Sequence, residues 1–154
     1  MVSLATTASL ATTAIRVVTV PRETMENRGW PEKGVERGRR GLSRCPFNKI
    51  SSASALRLTW NGDIGVKSAY TCKRWFFTLN GDECSDPAPI EGIVKATDIH
   101  RVSTIDGLCY NLRAGPVTVA LNVGACASST GNGYACTGWN SGYSRIIVEE
   151  MDIH

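Results

Sequence analysis

The sequence lacks the short motifs by which many enzymes and metal sites are recognised. It contains no Cys-x-x-Cys pair, no His-Glu-x-x-His and no Gly-x-Ser-x-Gly, and only two of its 154 residues are histidine. A regularly spaced zinc site, a zinc protease and a serine-hydrolase elbow are therefore not predicted. The chain also has no Asn-x-Ser/Thr acceptor for N-glycosylation. We expect no enzymatic activity and no cofactor.

Long hydrophobic runs are absent as well. A membrane-spanning helix needs about 18 consecutive apolar residues, and the most apolar segment, residues 1–20, is interrupted by threonines and serines. The same segment has no Lys or Arg near its start, so it lacks the charged beginning of a secretory signal. The sequence thus predicts neither membrane insertion nor a convincing signal peptide.

Positive charge is concentrated in the first part of the chain. Residues 1–44 hold eight Lys and Arg against four Glu, whereas residues 45–154 hold nine against ten Asp and Glu. The first segment also contains many glycines among its charges, a composition typical of disorder. We predict a disordered leader over 1–44 and one folded domain over 45–154. A near-neutral domain does not favour nucleic-acid binding.

Cysteine is confined to the predicted domain, and an even count there favours disulfides and an oxidising compartment. Buried thiols in a cytosolic protein are the alternative. Cys126 and Cys136, which flank a Ser/Gly-rich loop, are the favoured local pair, and the sequence leaves the other pairings open. The disulfide candidates are Cys45, Cys72, Cys84, Cys109, Cys126 and Cys136.

Short β-favouring segments alternate with turn residues from Ser54 onward, and no window keeps a helical apolar period for ten residues. Asn61-Gly62 and Asn80-Gly81 each predict a hairpin turn. Further strands are predicted at 89–94, 99–105, 116–123 and 143–148. This pattern predicts an all-β domain, a jelly-roll-like β-sandwich.

The run Trp75-Phe76-Phe77 places large aromatic side chains on both faces of its predicted strand. Both faces must then be covered, as in a central strand of a sandwich. An exposed aromatic strip that binds a partner is the alternative, and core packing is favoured over it.

Three features have a chemical interpretation beside a structural one. His100 is a candidate general base, although a structural histidine in a strand is favoured. Asp82, Glu83 and Asp86 are candidate calcium ligands, although carboxylates on a loop are usually only solvated. A thiol enzyme would need a cysteine of low pKa and would retain unoxidised thiols.

At the level of longer segments, the chain resembles the C-terminal globular domain of the collagen triple helix repeat-containing proteins. The resemblance runs from Cys45 to about Glu150 and includes rare Trp and Cys positions. Its segments are ALRL (55–58), CKRWFFTLNGDECS (72–85), PIEGI (89–93), IHR (99–101), DGLC (106–109), AGPV (114–117), VGAC (123–126), TGWNS (137–141) and SRIIVEE (144–150).

The resemblance implies a secreted, non-enzymatic protein of the extracellular matrix. It further implies a jelly roll like that of the complement and tumour-necrosis-factor group, assembled as a homotrimer. Its implied role is in Wnt signalling of the planar-polarity branch, collagen matrix control and cell migration, with a cell-surface receptor or matrix protein as partner. The alternative is a module that recognises glycans or microbial surfaces through loops 82–86 and 127–134, with Tyr134 and Trp139 stacking on sugar rings.

The chain departs from this family in three places. Residues 1–44 are not covered by the resemblance, and we expect a gene-model artefact there, with a strand of the head domain missing. Cys72 stands alone where the family commonly has two adjacent cysteines, and Cys136 is additional. The family's disulfide pairing therefore does not transfer directly to this chain.

Overall fold

The computed structural model describes residues 15–20, 40–67, 71–96, 99–127, 133–137 and 143–153. Within these ranges the chain forms nine β-strands and no helix, so none of them contains a helix that could cross a membrane. The strands are β1 (Ile15–Val20), β2 (Arg40–Lys49), β3 (Ser54–Lys67), β4 (Thr71–Leu79), β5 (Glu91–Ala96), β6 (Ile99–Cys109), β7 (Gly115–Ala125), β8 (Tyr134–Thr137) and β9 (Ser144–Asp152).

The strands pair into two antiparallel sheets, which confirms the predicted β-sandwich. Sheet A has the order β1-β9-β3-β6, and sheet B has the order β2-β7-β4-β5. The long strand β3 pairs with β6 along one edge, and with β9 and then β8 along the other. The four later strands predicted from the sequence correspond to β5, β6, β7 and β9.

The core lies between the inward faces of the two sheets. Every second residue of β3 points into it, as expected for a strand that is solvated on one face. Sheet B contributes the side chains of Trp75 and Phe77, both fully buried. The residues of β3 in the core are Leu56, Leu58, Trp60, Ile64 and Val66.

Phe76 lies on the opposite face of β4 from Trp75 and Phe77, yet it is only 2% exposed. The guanidinium carbon of Arg74 lies 4.2 Å from the centre of its ring, a cation–π contact. The expectation that both faces of this strand are covered is therefore confirmed, and the alternative of an exposed aromatic strip is wrong.

Of the two predicted hairpin turns, only one exists. Asn80 and Gly81 have positive φ angles of 53° and 99° and form the tight turn after β4. Asn61 and Gly62 instead lie inside β3, so that prediction is wrong. Gly62 is required there by packing, because a Cβ at this position would lie 2.5 Å from Trp60 Cζ2.

Two stretches of the predicted leader are strands of the sandwich. The β-branched run of β1 pairs with β9 at the edge of sheet A, and β2 already begins at Arg40. Strand β2 then pairs with β7 as far as Lys49. Pairing with a partner strand outweighs the leader composition at these positions. Residues 1–14 and 21–39 lie outside the described part.

A buried polar network joins the two sheets at one end. Lys49 Nζ, at the end of β2, donates to Ser54 O at 2.8 Å and to Ser54 Oγ at 2.7 Å. Glu150 of β9 accepts hydrogen bonds from Ser54 Oγ and from the backbone amides of Ile50 and Ser51, at 2.7 and 2.8 Å for the amides. Burial lowers the pKa of Lys49, and the nearby Glu150 carboxylate only partly opposes it.

Candidate functional site

Four of the six candidate cysteines form disulfides. Cys72 at the start of β4 is bonded to Cys126 just after β7, and Cys84 is bonded to Cys109 at the end of β6. The predicted Cys126–Cys136 pair is wrong. Strands β4 and β7 are neighbours in sheet B, which brings Cys72 to Cys126, whereas Cys136 belongs to β8 in sheet A.

The other two cysteines keep their thiols and differ in environment. Cys45 is 0% exposed and packs in the core among the inward residues of sheet B. Cys136 is half-buried. Of these two thiols, Cys136 is the one whose residue is partly exposed to solvent.

The candidate calcium ligands are not assembled into a metal-binding group. The carboxylate of Glu83 pairs with the Arg74 guanidinium at 2.5 Å, and Asp86 accepts a hydrogen bond from Asn111. Asp82 is exposed on the turn after β4. Among the described residues there is no cluster of three or more His, Cys, Asp or Glu suited to a metal. Calcium binding by these residues, the less favoured interpretation of the sequence, is untested.

The candidate sugar-binding loop mostly lies outside the described ranges. Residues 128–132 and Trp139 are not described, and nothing is described of the Tyr134 side chain. The stacking of aromatic rings on sugars is thus untested.

A second group of reactive side chains lies on the outer face of sheet A. Gly65 of β3 is the register partner of His100 on β6 and of Cys136 on β8, so the three residues form one row across three strands. Ile64 and Val66 point into the core, so this row faces outward. Because Gly65 has no side chain, the imidazole reaches across it, and His100 Nε2 lies 3.1 Å from Cys136 Sγ.

The contact between His100 and Cys136 fills the space above Gly65. A Cβ at Gly65 would lie 2.5 Å from Cys136 Sγ and 2.6 Å from His100 Nε2, so no larger residue fits while the two touch. The glycine is therefore what allows a histidine and a cysteine from non-adjacent strands to meet.

Asp63 completes the group from the same face of β3. Its Oδ2 lies 3.1 Å from His100 Nδ1, the ring nitrogen opposite the sulfur contact. The side chains of His100 and Asp63 are 26% and 18% exposed, so the row is shielded but open to solvent. We call these three residues the Asp63–His100–Cys136 cluster.

The environment of Cys136 favours the neutral thiol. Burial raises its pKa, as does the negative charge of Asp63, while Lys67 and a hydrogen bond from the Gly65 backbone act in the opposite direction. The low-pKa cysteine that a thiol enzyme would use as a preformed thiolate is therefore not found at this position.

His100 was expected to be structural, and the sequence gives no sign of its partners. The nearest of them, Cys136, is 36 residues away, and Asp63 is 37 residues away. The one local signal is Gly65 itself, since a glycine inside a strand often marks a close approach of other groups.

Part of the outer face of sheet A, along β3 and β6, is a polar ladder. Arg57 Nε lies 3.0 Å from Asp106 Oδ1, Thr59 donates to the same carboxylate, and Asn61 Nδ2 donates to Thr104 Oγ1 at 2.9 Å. The hydrogen bond from Arg57 lowers the pKa of Asp106. Exposed pairs of this kind contribute little stability and leave a solvated surface.

The sequence model of the family described as "CTHRC1, C-terminal domain" matches residues 23–148. The chain belongs to this family. The match confirms the resemblance found in the sequence and begins earlier than it, within the predicted leader. CTHRC1 family members are matrix proteins outside the cell, and the two disulfides of this chain fit an oxidising compartment.

Both disulfides and all three members of the Asp63–His100–Cys136 cluster fall within the matched range. The family domain therefore includes strands β3, β6 and β8, on which the cluster is built.

Proposed function

We propose that this chain is the globular domain of a secreted, non-enzymatic protein that binds partners in the extracellular matrix and at the cell surface. Its partners would be a receptor complex of the planar-polarity branch of Wnt signalling or a matrix protein, with effects on collagen matrix and cell migration. The family match over residues 23–148 carries this proposal.

We further propose that it acts as a homotrimer. Exposed apolar side chains on strands of both sheets are consistent with surfaces that an assembly would cover, among them Val102 on β6 and Ile93 on β5, which are 71% and 57% exposed. The polar ladder on sheet A supplies charges that a partner could pair with.

The test begins with secretion. The full native transcript is expressed in animal cells, and the medium is analysed by non-reducing intact mass after thiol alkylation and by light scattering. We expect the chain in the medium with both disulfides closed and a trimeric mass. A chain retained inside the cell with its cysteines reduced would contradict the proposal, and a secreted monomer would contradict the trimer alone.

Receptor binding is tested next on the secreted species. We expect saturable binding to cells that carry planar-polarity Wnt receptors and loss of that binding when the receptor is removed. A reductively unfolded sample of the same chain is the control. Equal binding to cells with and without the receptor would overturn the signalling part of the proposal.

A further inference from the structure

A protein that only binds partners does not need the Asp63–His100–Cys136 cluster. The nucleophile of the cluster is a thiol, so the reactions open to it are those of a thiol. We propose that Cys136 is a thiol–disulfide exchange site that forms a mixed disulfide with a small soluble disulfide. In this proposal His100 accepts the thiol proton and Asp63 is a positioning residue. The geometry resembles the general pattern of an activated nucleophile: a nucleophile within reach of a base that is itself held by a third group.

The two contacts of the His100 ring fit one tautomer of a neutral imidazole. A carboxylate can only accept, so the Nδ1 proton of the neutral imidazole donates to Asp63 Oδ2 at 3.1 Å. Nε2 is then the unprotonated nitrogen, and it accepts from the Cys136 thiol at 3.1 Å. Asp63 thus holds the tautomer that makes His100 a base toward sulfur. Within the described part of the chain, the charged and titratable groups that act on Cys136 are Asp63, His100 and Lys67.

The reaction balances with the small disulfide as the only co-reactant. The thiol proton of Cys136 passes to His100 Nε2 as Sγ attacks one sulfur of the disulfide. A new S–S bond forms to Cys136, and the original S–S bond breaks. The leaving thiolate takes the proton from the imidazolium and departs as a thiol. His100 returns to its neutral form. The Cys136 sulfur is oxidised and the small disulfide is reduced, so no other oxidant or reductant is needed.

Two other functions of the cluster, metal binding and acyl transfer, fit its geometry less well. A single metal ion bound to one nitrogen of the His100 ring could not also be held by both Asp63 and Cys136, because these two residues contact opposite ring nitrogens. Acyl transfer would require, beyond the nucleophile and base, donors for a developing oxyanion. Exchange requires only that a second sulfur reach Sγ.

The position of Cys136 on the outer face of sheet A also favours a small disulfide, and not a second copy of the chain, as the partner in the exchange. A disulfide holds its two Cα atoms within about 7 Å, whereas sheets packed face to face lie about 10 Å apart. Two copies joined through the half-buried Cys136 would have to approach more closely than packed sheets do. A small, flexible disulfide can reach Cys136 Sγ without bringing two sheets together.

The first experiment uses the purified full chain and oxidised glutathione near pH 7, followed by intact mass and peptide mapping. We expect one glutathionyl group per chain, located on Cys136. Cys136→Ser should remove the adduct, and the matched control Cys45→Ala should leave its rate unchanged. An adduct on Cys45 at the same rate, no adduct at all, or a covalent dimer through Cys136 in its place would each overturn the proposal.

The second experiment separates the base from a structural role. His100→Gln should slow adduct formation at pH 7 by about a hundredfold or more, the usual scale of a positioned base. Above the raised pKa of the thiol the two rates should converge, because the thiolate then forms without a base. Asp63→Asn, which keeps a hydrogen-bond acceptor but loses the charge, should give an intermediate rate at pH 7.

Equal rates for wild type and His100→Gln at pH 7, or a ratio of rates that does not change with pH, would overturn the role of His100. Thermal unfolding of each variant shows whether it is folded, and Asp63→Asn provides the test if His100→Gln is not. The assay contains only the purified chain and glutathione, so its failure is distinct from failure of secretion or receptor binding.

Discussion

At the scale of single residues, two glycines of β3 show how close packing can depend on a missing side chain. Gly62 faces the core beneath Trp60 and Ser144, while Gly65 faces outward beneath His100 and Cys136. Neither glycine has a positive φ angle. Their role is therefore to leave space, not to allow a turn.

Gly62→Ala should destabilise the fold by about 1 to 3 kcal/mol, the usual cost of overpacking a filled core. The added methyl group would collide with the Ser144 side chain and the Trp60 ring. The matched control is Gly124→Ala, whose Cβ would lie at an ordinary 3.5 Å from Phe76 Cε1. Urea unfolding measures both variants. Equal stabilities would show that the space at Gly62 is not needed.

Local sequence signals were reliable only where tertiary contacts did not oppose them. Asn80-Gly81 and Asn61-Gly62 are the same dipeptide, yet only the first turns the chain. At Gly62, pairing of β3 with β6 on one side and packing against Trp60 on the other keep the strand extended. The Cys126–Cys136 prediction failed for a related reason, since nearness in sequence did not mean membership of the same sheet.

At the scale of elements, the Lys49–Ser54–Glu150 network connects β2 of sheet B with β3 and β9 of sheet A. Burial alone would raise the pKa of Glu150. Hydrogen bonds from Ser54, Ile50 and Ser51, together with the charge of Lys49, outweigh it and lower the pKa. The carboxylate is thus held in its charged form at the end of the sandwich.

Glu150→Gln should cost about 3 kcal/mol, because it leaves the buried Lys49 charge without its anionic partner. Since the folded-state pKa of Glu150 lies below its ordinary value, its stabilising contribution is present above pH 4.5 and is lost as pH falls through the lowered value.

Urea unfolding between pH 3 and 7, about the range over which carboxyl groups titrate, should therefore give a steeper acid dependence for wild type than for Glu150→Gln. Glu149→Gln is the matched control, since its carboxylate makes only a 3.8 Å contact with the half-exposed Arg57. If the Glu150 and Glu149 variants lost stability equally, the buried network would not be what holds the sheets here.

One disulfide joins the paired strands β4 and β7, and the other joins the loop after β4 to the end of β6. Replacing Cys84 and Cys109 together by Ala should cost about 3 kcal/mol, and replacing Cys72 and Cys126 slightly more, because the second pair closes 54 residues instead of 25. Guanidinium unfolding of both double variants under non-reducing conditions measures this difference. The reverse order would show that strain or residual structure in the unfolded chain dominates over loop length.

At the scale of the whole molecule, the two thiols report on different events. A chromogenic disulfide reagent should modify Cys136 in the native chain, whereas Cys45 should react only when the sandwich opens globally. The rate at Cys45 should then follow the free energy of unfolding as urea is added. Modification of Cys45 at the native-state rate of Cys136 would show that β2 opens locally.

The fold class could be predicted from the sequence, but the sheet order could not. Alternating apolar residues and β-branched runs indicate strands wherever they occur, and β5, β6, β7 and β9 were found in this way. Which strands pair is set by contacts between distant segments, such as β3 with β8 and β9. No local pattern in Ile64 or Val66 indicates that β8 lies beside them.

The position of β3 in the chain also governs the order in which the molecule can be completed during synthesis. Its partners β6, β8 and β9 all follow it, and β1 likewise waits for β9, the last of the described strands. Strand β6 can cover one edge of β3 once residues 99–109 have emerged, but most of the other edge stays open until residues 144–152 have emerged. Such unpaired edges invite pairing with other chains. Sheet A is thus completed only after translation of β9.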